Sequence, residues 1–179
     1  MNTINDVKNL ALELMSTQFT IKANYGTYTI SAKDMGYSFE FDNAKRMFGR
    51  CFYISKKISL SLPLCKANLD KLHTEIRNTI LHEIAHAFCV YVYGIKNGKG
   101  HGANWKSIAK QIGCTGDRCY TSEKVNSVLS KYTLVCDSCG KKSPKYKKPK
   151  REAACGICCK NHNFGRYTDK FKLKLVVNY

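Results

Sequence analysis

Within the run His82-Glu83-Ile84-Ala85-His86, two imidazoles and a carboxylate fall inside five residues. On a helix, residues four apart share one face, with Cβ atoms about 5–6 Å apart. Both imidazole nitrogens can then reach one tetrahedral Zn²⁺ at about 2.0–2.1 Å. Glu83, next to the first ligand, is placed to take a proton from water that the metal activates. The flanking residues Ile80, Leu81, Ala87, Phe88, Val90 and Val92 are apolar, so the helix is expected to be buried. Burying two imidazoles and a carboxylate is costly without a partner, and zinc is the natural one. A core helix that merely carries two histidines is the plainer reading, and the downstream residues weigh against it.

A zinc held by two histidines needs a third protein ligand. The stretch Gly94 to Gly102 is rich in glycine and lysine, which is loop chemistry. His101 stands at its end, just before a helix expected over 104–112 with Trp105 and Ile108 on its apolar side. From there His101 can swing back onto the metal and leave the fourth position for water. The longer zinc-peptidase pattern, with Gly three and His six residues beyond the second histidine, does not fit, because the chain has Cys89 and Val92 at those positions. A glutamate ligand is open only at Glu123 or Glu152, and neither lies in an obvious helix beside the site.

A second constellation follows. Cys136-x2-Cys139 and Cys155-x2-Cys158 are separated by fifteen residues, a spacing that suits a four-cysteine zinc site. Gly140 and Gly156 give each knuckle room to turn. Four thiolates close the coordination shell, so this zinc would be structural. Cys159 is a geometrically possible substitute for Cys158, which the pattern favours. A segment of this size has little core of its own, and metal binding supplies folding energy.

Between the knuckles lies a basic run with Lys141, Lys142, Lys145, Tyr146, Lys147, Lys148, Lys150 and Arg151. From Cys136 onward there are 12 basic and 3 acidic side chains, a net of +9 in 44 positions, out of +17 for the whole chain. A solvated lysine loop is one reading. Clustered lysines interleaved with a tyrosine fit contact with a nucleic-acid backbone better.

These sites must be positioned by the rest of the chain. Ile4, Val7, Leu10, Ala11, Leu14 and Met15 recur at helical spacing and predict a packing helix over 4–20. Tyr37, Phe39 and Phe41 alternate with polar residues, as in a half-buried strand. Tyr25–Ile30 is its expected partner, across a turn at Lys33–Gly36. Two short strands are expected on either side of Ser55-Lys56. The motif helix is expected from Asp70 to Tyr93, capped by Asn68 or Asp70 and stopped at Gly94. His73, Cys51, Cys65, Cys114 and Cys119 are read as structural or incidental. A short helix over 122–131, with Ser122 as cap, leads to the cysteine-rich segment. Phe171, Leu173, Leu175 and Val177 alternate with Lys172 and Lys174, as in a closing strand.

Length suits one domain with a small appendage, divided here as 1–131 and 132–179. No apolar run approaches a membrane span, and no secretory signal is visible. Ten cysteines, two of the pairs in Cys-x-x-Cys form, then read as thiols and metal ligands in a reducing, intracellular compartment. The positive charge excess points to a polyanion partner, DNA first. A monomer is expected.

The ordered set of motifs resembles the SprT-like zinc metallopeptidases, the family of Spartan. It comprises Phe48-Gly49-Arg50-Cys51 with Ile58-Ser59-Leu60-Ser61, then the run from Thr79 to Ala87, then His101-Gly102-x-x-Trp105-Lys106, and last the paired knuckles. The resemblance implies an α+β zincin-like domain, a small sheet with active-site helices, followed by a mostly β zinc ribbon. It implies that His82, His86 and His101 bind a catalytic zinc and that Glu83 is the general base of peptide hydrolysis. In the Spartan branch the substrates are proteins crosslinked to DNA. The expected activity is therefore a zinc endopeptidase acting on DNA-associated proteins, with single-stranded or junction DNA as partner. The alternative is a non-enzymatic DNA-binding or regulatory protein on a zincin scaffold; the intact Glu83 argues against it, since a pure metal scaffold has no need of that carboxylate.

Overall fold

The computed structural model describes residues 1–117 and 126–179. The chain divides into two compact units, Met1–Val128 and Leu129–Tyr179.

The first unit is mixed α and β. Helix α1 (Ile4–Ser16) starts at a capping box, in which the Thr3 hydroxyl accepts from the Asp6 N–H and the Asp6 carboxylate accepts from the Thr3 N–H. Its stripe Val7, Ala11, Leu14 and Met15 is buried. The helix is shorter than its periodicity suggests, because Phe19–Ala23 forms a strand, β1. Strand β1 pairs antiparallel with β2 (Gly26–Ile30). Tyr25–Ile30 therefore does not pair with the Tyr37–Phe41 region, as had been expected. The hairpin is tied to the following helical layer by Gln111, whose side chain accepts from the Lys22 N–H and donates to the Lys22 carbonyl.

A second sheet has the order β3 (Ser38–Asp42), β5 (Lys57–Ser61), β4 (Gly49–Phe52). Strand β5 lies at its centre, parallel to β3 and antiparallel to β4, and Ile58 to Ser61 are buried. Asp42 links all three strands: it accepts from the Ser59 hydroxyl at 2.6 Å and from Arg50 at 2.7 Å. Burial alone would raise its pKa, but these bonds and the Ala44 N–H hold it below the usual carboxylate range.

The chain then forms α2 (Leu62–Ala67), a 3-10 turn, a wider π-type turn at Leu72–Ile76, and the long helix α3 (Arg77–Gly98). The expected helix start at Asp70 is thus irregular for its first two turns. Asn68 does not cap it; its side chain instead bridges the Leu64 carbonyl and the backbone of Asn126. Ile80, Leu81, Ile84, Ala85, Ala87 and Phe88 are fully buried, so α3 is the core helix of the unit. Its geometry breaks at Gly94, where φ is +74°, a conformation that costs glycine little. Helix α4 (Ala103–Gln111) packs Trp105, Ile108 and Ala109 into the same core.

In the second unit, β6 (Tyr132–Val135) is flanked antiparallel by β7 (Lys142–Lys145) and β8 (Lys174–Val177). Helix α5 (Gly156–His162) starts at the second knuckle, so the ribbon is a three-stranded sheet with one short helix. The alternation from Phe171 to Val177 does not mark a half-buried strand. Phe171 is buried in a 3-10 turn, and all four residues of β8 are exposed. Cys119, Ser122 and Glu123 lie outside the described residues, and the described remainder of the helix expected over 122–131, residues 126–131, is not helical. Among the described residues, no helix is long and apolar enough to cross a membrane.

Candidate metal centres and the cleft around them

Helix α3 presents His82 and His86 one turn apart, and the loop before α4 brings His101 onto them. The Nε2 atoms of His82 and His101 are 2.9 Å apart, and those of His86 and His101 are 3.1 Å apart. Tetrahedral ligation at the usual zinc–nitrogen distance would separate ligand nitrogens by about 3.3–3.4 Å, so a small outward shift admits the ion.

The donor chemistry fits as well. Burial, reinforced by the neighbouring imidazoles, pushes His82 down to about 4 and His86 down to about 3 in the metal-free protein. Both rings are therefore neutral with a lone pair to give. The Asp117 backbone weakly opposes the His82 shift.

Trp105 forms the floor. Its ring centroid lies 4.6 Å from those of His82 and His101 and 5.2 Å from that of His86. It is the chain's single tryptophan and is fully buried.

Glu83 lines the same cavity, of about 500 Å³, together with Arg50, Cys51, Phe52 and Tyr53. Burial raises Glu83 to about 8, with Arg50 opposing the shift. A carboxylate so placed ionises readily beside a dication. Gly49 on β4 faces it closely: a Cβ there would lie 2.8 Å from Glu83 Oε1 and 2.9 Å from Thr79 Cγ2. Cys51 is half-buried in the cavity wall, and burial, with Glu83 nearby, pushes its thiol up to about 12, so it is an inert neighbour. The Tyr53 hydroxyl donates to the Lys99 carbonyl at 3.3 Å, tying the β4–β5 turn to the loop that carries His101.

The end of α3 that leads into this loop packs closely at Gly98. A Cβ at that position would collide with the Cys89 carbonyl at 2.5 Å, whereas Gly100 and Gly102 face open space.

In the ribbon, Cys136, Cys139, Cys155 and Cys158 place their sulfurs within 4.8 Å of one another. Cys136 and Cys158 are 3.7 Å apart, and Cys139 and Cys155 are 3.6 Å apart. Cys159 is outside this group and packs with Phe171 in the small core. Cys155 occupies the cap of α5, where the Cys158 N–H, helped by the neighbouring thiols and the Ile157 N–H, lowers its pKa to about 7. A thiolate at a helix start is a good zinc donor.

The family model for the SprT-like family matches residues 17–126. The chain belongs to the SprT-like family. The match covers the cleft, with His82, Glu83, His86 and His101, and stops short of the ribbon. No curated protein and no solved structure matches the chain. SprT-like membership carries a zincin-like metallopeptidase fold, and the two clusters are candidate metal centres consistent with zinc.

The basic run behaves as surface. Lys141, Lys142, Lys145, Lys147, Lys148, Lys150 and Arg151 are exposed and Tyr146 is half-buried. Among the described residues, none of these cations forms an ion pair. Lys148, Lys150 and Arg151 share a groove of about 680 Å³ with Lys170, Lys172 and Lys174, which sequence reasoning had not grouped with them. Lys172 pairs with Glu152 and Lys174 with Asp137 across that groove. Gly49 and the Trp105 floor were also missed as parts of the site. Both appear in the motif blocks, but their roles depend on contacts between distant segments.

Proposed function

We propose that the protein is a zinc-dependent endopeptidase that acts on DNA-associated proteins, including proteins crosslinked to DNA. The observation that carries this reading is the Glu83 carboxylate, buried in the wall of the cavity onto which three imidazoles converge. His82, His86 and His101 would hold the metal. When bound, zinc supplies a Lewis acid that lowers the pKa of water and polarises the scissile carbonyl. Glu83 takes the proton from the attacking water and delivers it to the leaving amine. Strand β4 is an edge strand, and Arg50 to Phe52 line the cavity, so an extended peptide can add alongside it. The exposed lysines of the ribbon hold DNA through its phosphates and keep the peptidase on DNA-bound protein.

The test is cleavage of a basic DNA-binding protein, with self-cleavage followed in parallel, with and without single-stranded DNA and beside Glu83→Gln. Cleavage that needs both DNA and Glu83 is expected. Cleavage indifferent to DNA would assign the ribbon to another partner. Absence of cleavage with zinc and DNA both bound would favour the binding-protein alternative.

A further inference from the structure

The ribbon sheet has two edge strands, and they are finished differently. The Cys136 N–H donates to the Lys141 carbonyl at 3.0 Å, which sets the phase of the β6–β7 ladder. In an antiparallel pair every second residue turns its backbone groups away from the partner. On β7 those outward positions are Lys142 and Pro144. A lysine, and a proline with no N–H to offer, close an edge to further strands. On β8 the Asn178 N–H donates to the Lys131 carbonyl at 3.0 Å, so the outward positions are Leu175 and Val177. Their N–H and C=O groups face away from β6, and their side chains are 37% and 60% exposed. Val176, between them, is exposed as well. From Leu175 to Val177 this edge carries neither a charge nor a proline.

The open edge is held in shape. Asn178 Nδ2 donates to the Ser130 carbonyl at 2.7 Å, and the Tyr179 hydroxyl donates to the Leu129 carbonyl at 3.1 Å, so the chain is fastened beyond the last pair of β8. An incoming strand then meets a template that needs little ordering. Leu175 lines the groove that holds Lys148, Lys150, Arg151 and Lys170, and Val177, two residues on, shares its face. The unit Leu129–Tyr179 has 13 basic and 3 acidic side chains, a net of +10. Its acids are already engaged: Glu152 with Lys172, Asp137 with Lys174, and Asp169 with the Tyr167 hydroxyl. A second copy of the chain would bring the same positive charge to the edge. A nucleic acid has no peptide groups with which to extend the ladder. An extended acidic segment of another protein, aliphatic at alternate positions, meets the backbone, the exposed side chains and the charge together.

We propose that β8 is a docking edge on which an acidic, aliphatic segment of a partner protein pairs as a fourth strand. The backbone groups of Leu175 and Val177 extend the ladder, their side chains take the partner's aliphatic residues, and the groove lysines take its carboxylates. Such a dock is independent of what the cleft hydrolyses.

The experiment uses the full, zinc-loaded chain carrying Glu83→Gln, so that no probe is cut. The probe is a fluorescein-labelled peptide of alternating valine and glutamate; a peptide of alternating valine and lysine and an oligothymidylate are the comparators. The glutamate peptide should bind and the lysine peptide should not. Hydrogen exchange at the Leu175 and Val177 amides should slow by about tenfold or more in the complex, because those N–H groups enter a ladder. Val177→Pro removes one outward donor and should weaken the peptide by about tenfold. Val177→Thr keeps that donor and the branched shape, and should bind as the parent does. Zinc content of two per chain shows that each variant keeps its ribbon; if Val177→Pro does not, amide exchange in the parent decides. Absence of glutamate-peptide binding at millimolar concentration, or binding that leaves both amides unprotected, would overturn the proposal. Protection of the same amides by the oligothymidylate and not by the peptide would also overturn it and give the edge to nucleic acid.

Discussion

Gly49 lies so close to Glu83 that a single added methyl group would sit 2.8 Å from the carboxylate oxygen. The edge strand and the motif helix are therefore fitted to each other at the proposed general base. Gly49→Ala should keep zinc on the three histidines but displace Glu83. We expect turnover to fall by about 10²-fold or more, because a 1 Å misplacement can cost that much. Zinc content measured beside turnover separates this from loss of the metal.

Glu83→Gln should retain both metals and abolish cleavage. Its pH behaviour without metal is equally diagnostic. A carboxyl raised in the fold to about 8 binds more protons folded than unfolded between about 4.5 and 8, so it removes stability as pH rises through that window. His82 and His86, depressed to about 4 and 3, add stability as pH rises towards 6.5. From these three groups, the chelated protein should be most stable near pH 6.5 and decline towards pH 8. Chemical denaturation of the chelated Glu83→Gln variant should show that alkaline decline removed.

Trp105 should report on the three-histidine centre alone. Its ring is within 5.2 Å of all three histidine rings, and no other tryptophan competes. Co²⁺ added to chelated protein should quench its emission, and His82→Ala should abolish the quenching while the ribbon still loads. Trp105→Ala should cost about 3–5 kcal/mol of stability, as expected for a buried tryptophan.

The ribbon separates Cys158 from Cys159. Cys158→Ser should lower zinc stoichiometry from two to one and unfold the second unit, since metal binding supplies its folding energy. Cys159→Ser should keep two zinc ions. Elemental analysis of the purified variants decides between them.

The chemistry was legible because it is local. Two ligands and a carboxylate fall within one helical turn, and each knuckle spans four residues. His101 could be placed because its loop is short and the helix it leads into has an evident apolar side. The pairing of strands was less accessible. Phe19 and Ile21 alternate with Thr20 and Lys22, yet the helix expected over 4–20 took in Phe19 and Thr20, and β2 was assigned the wrong partner. The parallel β3–β5 pairing depends on segments brought together only by the fold. Gly49 against Glu83 and Gly98 against Cys89 are backbone approaches that no spacing encodes.

Two of the three candidate ligands ride on the rigid core helix before its Gly94 break, and the third sits on the short loop that follows Gly98. The order in which an ion is surrendered follows from this. The loop histidine can let go while the helix stays intact, so metal exchange proceeds through a two-ligand state and its rate measures loop opening. Chelator off-rates at fixed temperature are therefore a clock for the segment between residues 99 and 102, independent of any substrate.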